Sequence, residues 1–426
     1  MSRYYLWSIG CQMNDADAAT LGRGFGEMGF WPVSDPREAD VVVLITCVVR
    51  QRAEGKVVGR LTSLKNLKRS RPEALIAVMG CFVDDESSLR TRFPYVDAFF
   101  KPSDSAGLLQ LVRERMPTPA SEVNQAVVAL PTTQPVCALV PISYGCDHHC
   151  TYCIVRLRRG RQQSRPLGDI VSEVQEWVRR GARQVTLLGQ NVDAYGQDLS
   201  PDGPSLADVL AAVHDIDGLW RIRFLTSHPG DMTHELIDTV ARLPKVCPHF
   251  EVPVQAGDDR ILQRMGRNYT VAHYHELVTA IRQWVTPCSI ATDVIVGFPG
   301  ESEAEFQATY DLLASLRLDS VHIAKYSPRP GTPAARLPDD VPAEEKERRR
   351  SLLEQLQTQI AGEVNSSLLG QAVDVLVEER QRGRWKGRTV TNKLVFFEDT
   401  ADQRGHLVRV RITWAGPWSL IGQPAG

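Results

Sequence analysis

The sequence predicts a three-part α/β protein: an N-terminal open parallel α/β sheet domain, a central partial (βα)6 barrel, and a C-terminal small β-barrel. Three observations carry that expectation. Strand-sized apolar runs alternate with helix-like stretches at the start, six more strand and helix pairs follow a proline- and threonine-rich break, and the last stretch turns to short strands alone. A chain of 426 residues sets a length expectation of about two or three domains.

Residues 4–9, 41–45 and 75–79 are runs rich in branched or aromatic side chains, separated by helix-like stretches at 15–28 and 51–66. Such alternation suits a parallel sheet covered by helices. One cysteine stands just beyond each run, in Gly10-Cys11, Thr46-Cys47 and Gly80-Cys81. The carboxyl ends of parallel strands share one sheet edge, where open α/β folds build their sites, so the three thiols can meet there. A small buried hydrophobe explains one cysteine at such a place. It explains three at the same place on three strands poorly.

Residues 116–135 lose periodicity and read as a linker between domains at 1–115 and 136–364. Strand-like runs then recur at 138–142, 184–188, 221–225, 249–254, 289–296 and 320–326, with helix-like stretches at 169–180, 205–213, 233–242, 271–285 and 302–316. The last of these helices opens with Ser302 followed by Glu305, a capping box. Residues 342–364 read as a long amphipathic helix closing the barrel, or as a solvated connector. The final domain, 366–426, has strand-like runs at 372–377, 389–397 and 407–414, with nine Lys and Arg against six Asp and Glu. Arg382, Arg384, Lys386 and Arg388 flank Trp385 there. That grouping suits a nucleic-acid backbone with a stacked base, or a solvated surface hairpin.

In the loop after the first barrel strand lies the run Cys146-Asp147-His148-His149-Cys150-Thr151-Tyr152-Cys153. Three thiolates so close together can converge on zinc or on an iron-sulfur cluster. A structural zinc needs a fourth ligand, which His148 or His149 could supply. A cubane on three cysteines leaves one iron open for a substrate or cofactor. Carboxyl-end loops are where barrels of this kind carry their chemistry.

The net charge of −2 leaves any nucleic-acid partner to a local basic patch. The longest apolar run, 41–49, is strand-sized, and no leader-like or membrane-length segment is found, so the expectation is a cytoplasmic protein with no membrane partner. Nine cysteines in that compartment point to metal or catalysis and not to disulfides.

Taken in order, the motifs resemble those of the radical S-adenosylmethionine (SAM) methylthiotransferase family over nearly the whole chain. They are Gly10-Cys11-Gln12-Met13-Asn14, Thr46-Cys47 with Arg50, Met79-Gly80-Cys81, the cysteine triplet, Arg159-Gly160 with Ser164-Arg165-Pro166, and Leu187-Leu188-Gly189-Gln190-Asn191-Val192 with Ala194-Tyr195-Gly196. Then come Thr226-Ser227-His228-Pro229, Pro253-Val254-Gln255, Gly297-Phe298-Pro299-Gly300-Glu301 and Tyr326-Ser327-Pro328-Arg329-Pro330-Gly331-Thr332. Gly387-Arg388-Thr389 with Thr391-Asn392-Lys393 is similar to the TRAM module, an RNA-binding β-barrel.

The resemblance implies two [4Fe-4S] clusters, one on Cys146, Cys150 and Cys153 that cleaves SAM, and one on Cys11, Cys47 and Cys81 that carries sulfur. One SAM methylates that sulfur and a second furnishes the radical that takes the hydrogen from adenine C2. It implies SAM contacts at Gly189, Gln190, Asn191, Ser227, Gln255 and Gly297, and RNA contacts at Arg159, Arg165, Trp385, Arg388 and Lys393. Arg156, Arg158, Arg159, Arg161 and Arg165 together suit tRNA phosphates or a solvated loop. Partners implied are a tRNA anticodon stem-loop, a reducing electron donor and a sulfur donor. Residues 188–196 and 164–166 look most like the branch acting on isopentenylated adenosine. The alternatives are threonylcarbamoyladenosine, a ribosomal-protein aspartate, and, outside enzymes, an RNA-binding iron-sulfur sensor. Two positions depart from the pattern: Ile45 stands where asparagine is usual, and Arg156 where proline is usual. Cys137, Cys247 and Cys288 match no ligand position and read as incidental thiols.

Overall fold

β1 (Arg3–Ser8), β2 (Trp31–Pro32), β3 (Val41–Thr46), β4 (Leu75–Gly80) and β5 (Ala98–Phe100) pair in parallel in the order β2-β1-β3-β4-β5. Every residue of β3 and β4 is buried, as strands covered on both faces require. In this computed structural model, which describes residues 1–48, 51–116, 135–200 and 203–425, α1 (Gln12–Glu27) and α4 (Ser105–Arg115) cover one face of the sheet. Phe25, Leu108 and Val112 pack there on Val41, Val43 and Ile45. The other face meets α2 (Gln51–Ser70) and α3 (Glu86–Arg92) through Val57, Leu61 and Leu89. The short α5 (Val155–Arg159) belongs to this same compact unit. Ile45 thus faces the helix layer and packs in the apolar core there. Arg50, and the linker from 117 to 134, lie outside the described residues.

The second unit begins with β6 (Cys137–Pro141), the small antiparallel pair β7 (Ser143–Tyr144) and β8 (Gln163–Ser164), β9 (Gln184–Leu188) and β10 (Arg221–Phe224). β11 (His249–Glu251), β12 (Ser289–Val296) and β13 (Ser320–Lys325) follow. They form two parallel sheets, β10-β9-β6 and β11-β12-β13, joined where Ile222 bridges Val246. Period-two alternation sends Val185, Leu187, Ile222, Phe224, Ile290 and Val294 to the core shared with the helices. These helices are α6 (Leu167–Arg179), α7 (Leu206–His214), α8 (His234–Arg242), α9 (Asp259–Arg264), α10 (Val271–Trp284), α11 (Glu303–Leu316) and α12 (Ala343–Ser366). α11 carries the expected capping box, with Ser302 and Glu305 bonded reciprocally. α12 packs Leu353 into the barrel core, so the stretch is a closing helix and not a connector.

The last domain is a closed barrel of β14 (Ala372–Gln381), β15 (Arg384–Arg388), β16 (Leu394–Phe397), β17 (Leu407–Ala415) and β18 (Leu420–Pro424). The strand expected over 389–397 is shorter than the sequence suggested. Residues 389–393 are a turn in which the Lys393 backbone N–H donates to Thr389 Oγ1 (3.0 Å) and Asn392 takes φ +64°. This turn meets the strand starts of the (βα)6 barrel. Arg223 donates to the carbonyls of Thr389 (2.6 Å) and Val390 (3.0 Å), and Arg221 to those of Arg388 (2.6 Å) and Asp374 (3.0 Å). Ser289 Oγ donates to the Thr391 carbonyl (2.8 Å), His249 Nε2 meets Asn392 Nδ2 (3.1 Å), and Lys393 pairs with Asp319 (2.6 Å).

Two outcomes test this docking. Arg223→Ala strips buried carbonyls of a charged donor and should lower unfolding stability by about 3 kcal/mol, read by urea titration. Burial, then the cations Arg223, Lys393 and Arg388 and neighbouring His322, push His249 down to about 3. Its folded value lies below the unfolded one, so its contribution is complete above pH ~6.5 and is lost as pH falls, by about 2 kcal/mol at pH 5. In His249→Gln that part of the pH dependence of the urea midpoint should disappear.

Candidate active site

Where β1, β3 and β4 end, Asn14 and Thr46 stitch the three turns together. Asn14 Nδ2 donates to the carbonyls of Ile9 (2.7 Å) and Thr46 (3.1 Å), and Thr46 Oγ1 donates to that of Met79 (2.8 Å). The Cys81 N–H donates to the Thr46 carbonyl (3.1 Å). Each of those carbonyls stands one or two residues before Cys11, Cys47 or Cys81. The chain can pass this closely only without side chains: a Cβ on Gly10 (φ +126°) would fall 2.2 Å from Cys47 Cβ. Cys47 and Cys81 are buried and Cys11 is exposed. Burial pushes the Cys81 thiol up, and the Arg159 guanidinium, which donates to it, opposes that.

The triplet loop of the second unit is pinned from two directions. The Thr151 N–H donates to the Met265 carbonyl (2.8 Å) and its Oγ1 to that of Arg264 (2.8 Å), at the end of α9. From the 326–332 motif side, the Ala334 N–H donates to the Thr151 carbonyl (2.9 Å). The buried Arg267 approaches Cys150 Sγ at 3.5 Å and donates to the Pro253 carbonyl (2.8 Å). His148 Nε2 is taken up by Asp231 (2.5 Å) and its ring stacks on His228 at 3.7 Å, so that nitrogen is not left over to complete the triplet.

Around the strand ends of the first barrel sheet, four buried polar atoms have no partner: Ser143 Oγ, Gln190 Oε1, Asn191 Oδ1 and His228 Nε2. Burying such atoms without partners is costly, and their grouping fits a ligand that carries both donors and acceptors. Gly189 stands beside them, where a Cβ would fall 2.5 Å from Ser143 Oγ. Asn191 Nδ2 donates to Asp231 (2.5 Å), and Ser227 Oγ to Asp193 (2.9 Å). Burial pushes Asp193 up to about 7. Gln255, at φ +72°, hands its backbone N–H to the Asp293 carbonyl (2.9 Å). Gly297 backs onto α12, with Lys346 Cγ 2.3 Å from where its Cβ would be. The Gly189 to Asn191 segment thus combines a close-packed glycine with two amide oxygens that a ligand carrying donors can take up.

The residues expected to meet RNA are placed otherwise. Trp385 is 6% exposed in the core of the small barrel, donating its indole N–H to the Ala401 carbonyl (3.1 Å), and presents no free face for a base. Arg388, at the end of β15, binds the Asn392 carbonyl of the docked turn (3.1 Å), and Lys393 of that turn pairs with Asp319 of the (βα)6 barrel. Arg165 bridges the Pro141 carbonyl and Glu173, each at 2.6 Å. Arg159 sits among Ser103, Asn14 and Cys81. The sequence reading gave no role to Asn14, Arg267 or Asp231, nor to Glu251, Asp293 and His322, whose ligand atoms lie within 4.8 Å of one another. Ionisable residues at alternate positions of otherwise apolar strands were the available signal for that last trio. Burial raises the thiols of Cys137 (about 12), Cys247 and Cys288 (about 11), as suits incidental cysteines.

Residues 140–313 match the Radical SAM superfamily, 3–101 the uncharacterized protein family UPF0004, and 366–425 the TRAM domain. The tRNA-2-methylthio-N(6)-dimethylallyladenosine synthase of Dehalococcoides mccartyi strain CBDB1 is 48% identical over 422 residues, covering 99% of this chain and 98% of its own. The chain belongs to this synthase family. Another synthase, from Chloroflexus aurantiacus, is 48% identical and covers 99% of this chain and 91% of its own. Among solved structures, the radical SAM methyltransferase TsrM of Kitasatospora setae aligns at TM-score 0.58 and 14% identity over 79% of this chain and 75% of that one. That likeness speaks to the fold. Membership of the synthase family accounts for the radical SAM domain, and with it for one [4Fe-4S] cluster and SAM.

Asn14→Ala should take from the Ile9 carbonyl its side-chain donor, from the Thr46 carbonyl one of its two donors and from Arg159 one of its acceptors, lowering stability by about 2 kcal/mol in urea titration of the metal-free protein.

Proposed function

We propose that this chain is a tRNA methylthiotransferase that replaces the C2 hydrogen of N6-isopentenyladenosine beside the anticodon with a methylthio group. The full-length match to synthases of that name carries the reading. The two cysteine trios and the unpartnered polar atoms at the first barrel sheet support it.

In this reading Cys146, Cys150 and Cys153 hold one [4Fe-4S] cluster and Cys11, Cys47 and Cys81 a second. When bound, the clusters and SAM supply the reducing electron, the hydrogen-abstracting radical and the methylated sulfur. The protein's own side chains orient and insulate. Gln190 and Asn191 offer carbonyl oxygens to the SAM amino group, while Ser143 offers a hydroxyl. Asp231 locks Asn191 and His148 in place by bonds of 2.5 Å to each. A reducing electron donor and a sulfur donor complete the system, which works on a tRNA anticodon stem-loop in the cytoplasm. Among the described residues, no helix is long and apolar enough to cross a membrane.

Two measurements test the reading. Anaerobically reconstituted protein should carry about eight irons, and Cys146→Ala/Cys150→Ala/Cys153→Ala about four. The wild type should convert isopentenyladenosine in tRNA to its 2-methylthio form by nucleoside mass spectrometry. Activity confined to threonylcarbamoyladenosine, or to a ribosomal protein, would move the substrate to those branches; zinc in place of iron, or no SAM cleavage on reduction, would sink the enzyme reading.

A further inference from the structure

Arg159 stands out among the arginines that follow the triplet because its partners are side chains of the N-terminal sheet edge. Nη2 donates to Asn14 Oδ1 (3.1 Å), Nη1 donates to Ser103 Oγ (3.0 Å), and the guanidinium also donates to the Cys81 thiol. Ser103 reaches it from a left-handed backbone (φ +63°), a conformation that costs a non-glycine residue energy, and its hydroxyl donates onward to the buried Asp17 carboxylate (3.2 Å). Neighbouring Arg158 turns to Asp84 instead (2.7 Å). A strained serine, an asparagine that ties two strand ends and a buried acid therefore converge on one guanidinium beside a cysteine ligand position.

Three thiolates outweigh the charge of an oxidised cubane, so a cluster on Cys11, Cys47 and Cys81 is an anion, and an anionic sulfur on its open iron adds to that charge. Cys11 is exposed, but Cys47 and Cys81 are each 3% exposed, so on their side water does little to offset it. Hydrogen bonds to ligand sulfurs and nearby charge set the reduction potential of such clusters. We propose that Arg159 is a positioning residue for this cluster: it holds Cys81 Sγ by a charged hydrogen bond, compensates the anion and raises the cluster's reduction potential. The proposal rests on the two-cluster reading above.

The test uses full-length Cys146→Ala/Cys150→Ala/Cys153→Ala protein, reconstituted anaerobically, with Arg159 intact or changed to Gln or Lys. Iron content, the thermal melt of the metal-free form, and the midpoint potential by electron paramagnetic resonance titration are read. With about four irons and an unchanged melt, Arg159→Gln should titrate at a more negative potential than its parent, and Arg159→Lys between the two. If the glutamine form holds no iron, the lysine form decides: a shifted potential supports the proposal, the parent's potential overturns it. Equal potentials in all three forms overturn the role of Arg159 alone. A parent that takes up no iron removes the second cluster, and this proposal with it.

Discussion

The carbonyl groups at the ends of β1, β3 and β4 run out of strand partners together, and two short side chains take them up. Asn14 and Thr46 between them bind the carbonyls of Ile9, Thr46 and Met79. Buried carbonyls must be paired, so this stitching is a condition of the sheet edge existing at all. Once it is met, the next residues along each turn are the cysteines, and their separation follows from strand spacing in a parallel sheet. Gly10 is the steric counterpart, since any side chain there would overlap Cys47.

The triplet obeys a different logic. Its loop is held through the backbone and hydroxyl of Thr151, between the end of α9 and the turn leading to Ala334. Within the triplet the Cys153 backbone N–H donates to the Cys150 carbonyl (3.1 Å), and Arg267 approaches Cys150 Sγ. The fold fixes the loop at Thr151, a residue between the cysteines and not one of them.

The succession of strands and helices, and the cysteine just past each of β1, β3 and β4, were legible in the sequence because they depend on short-range spacing, whereas the order of strands across the sheet was not. The partners of charged side chains were not. Trp385 with its arginines read as an RNA platform, yet alternation along β15 turns the indole into the barrel core. Arg388 and Lys393 read as phosphate ligands, yet they serve a turn whose carbonyls are claimed by Arg221 and Arg223. Composition reports that cations are near one another, and the opposing surface decides what they hold. Arg221 and Arg223, two residues apart in a fully buried strand, were the detectable anomaly: buried guanidiniums need acceptors, and β10 has none of its own to offer.

Those two arginines make the C-terminal module something other than an accessory. Removing it would strip two guanidiniums at the barrel's strand starts of the main-chain oxygens they hold, leaving Arg223 its bond to Gln184 and uncovering both to water. A catalytic barrel trimmed of its last domain is therefore not a minimal enzyme, and a foreign RNA-binding module grafted in its place inherits an obligation to present four carbonyls to the same two side chains. Exchange between such modules is constrained at the seam before any question of RNA arises.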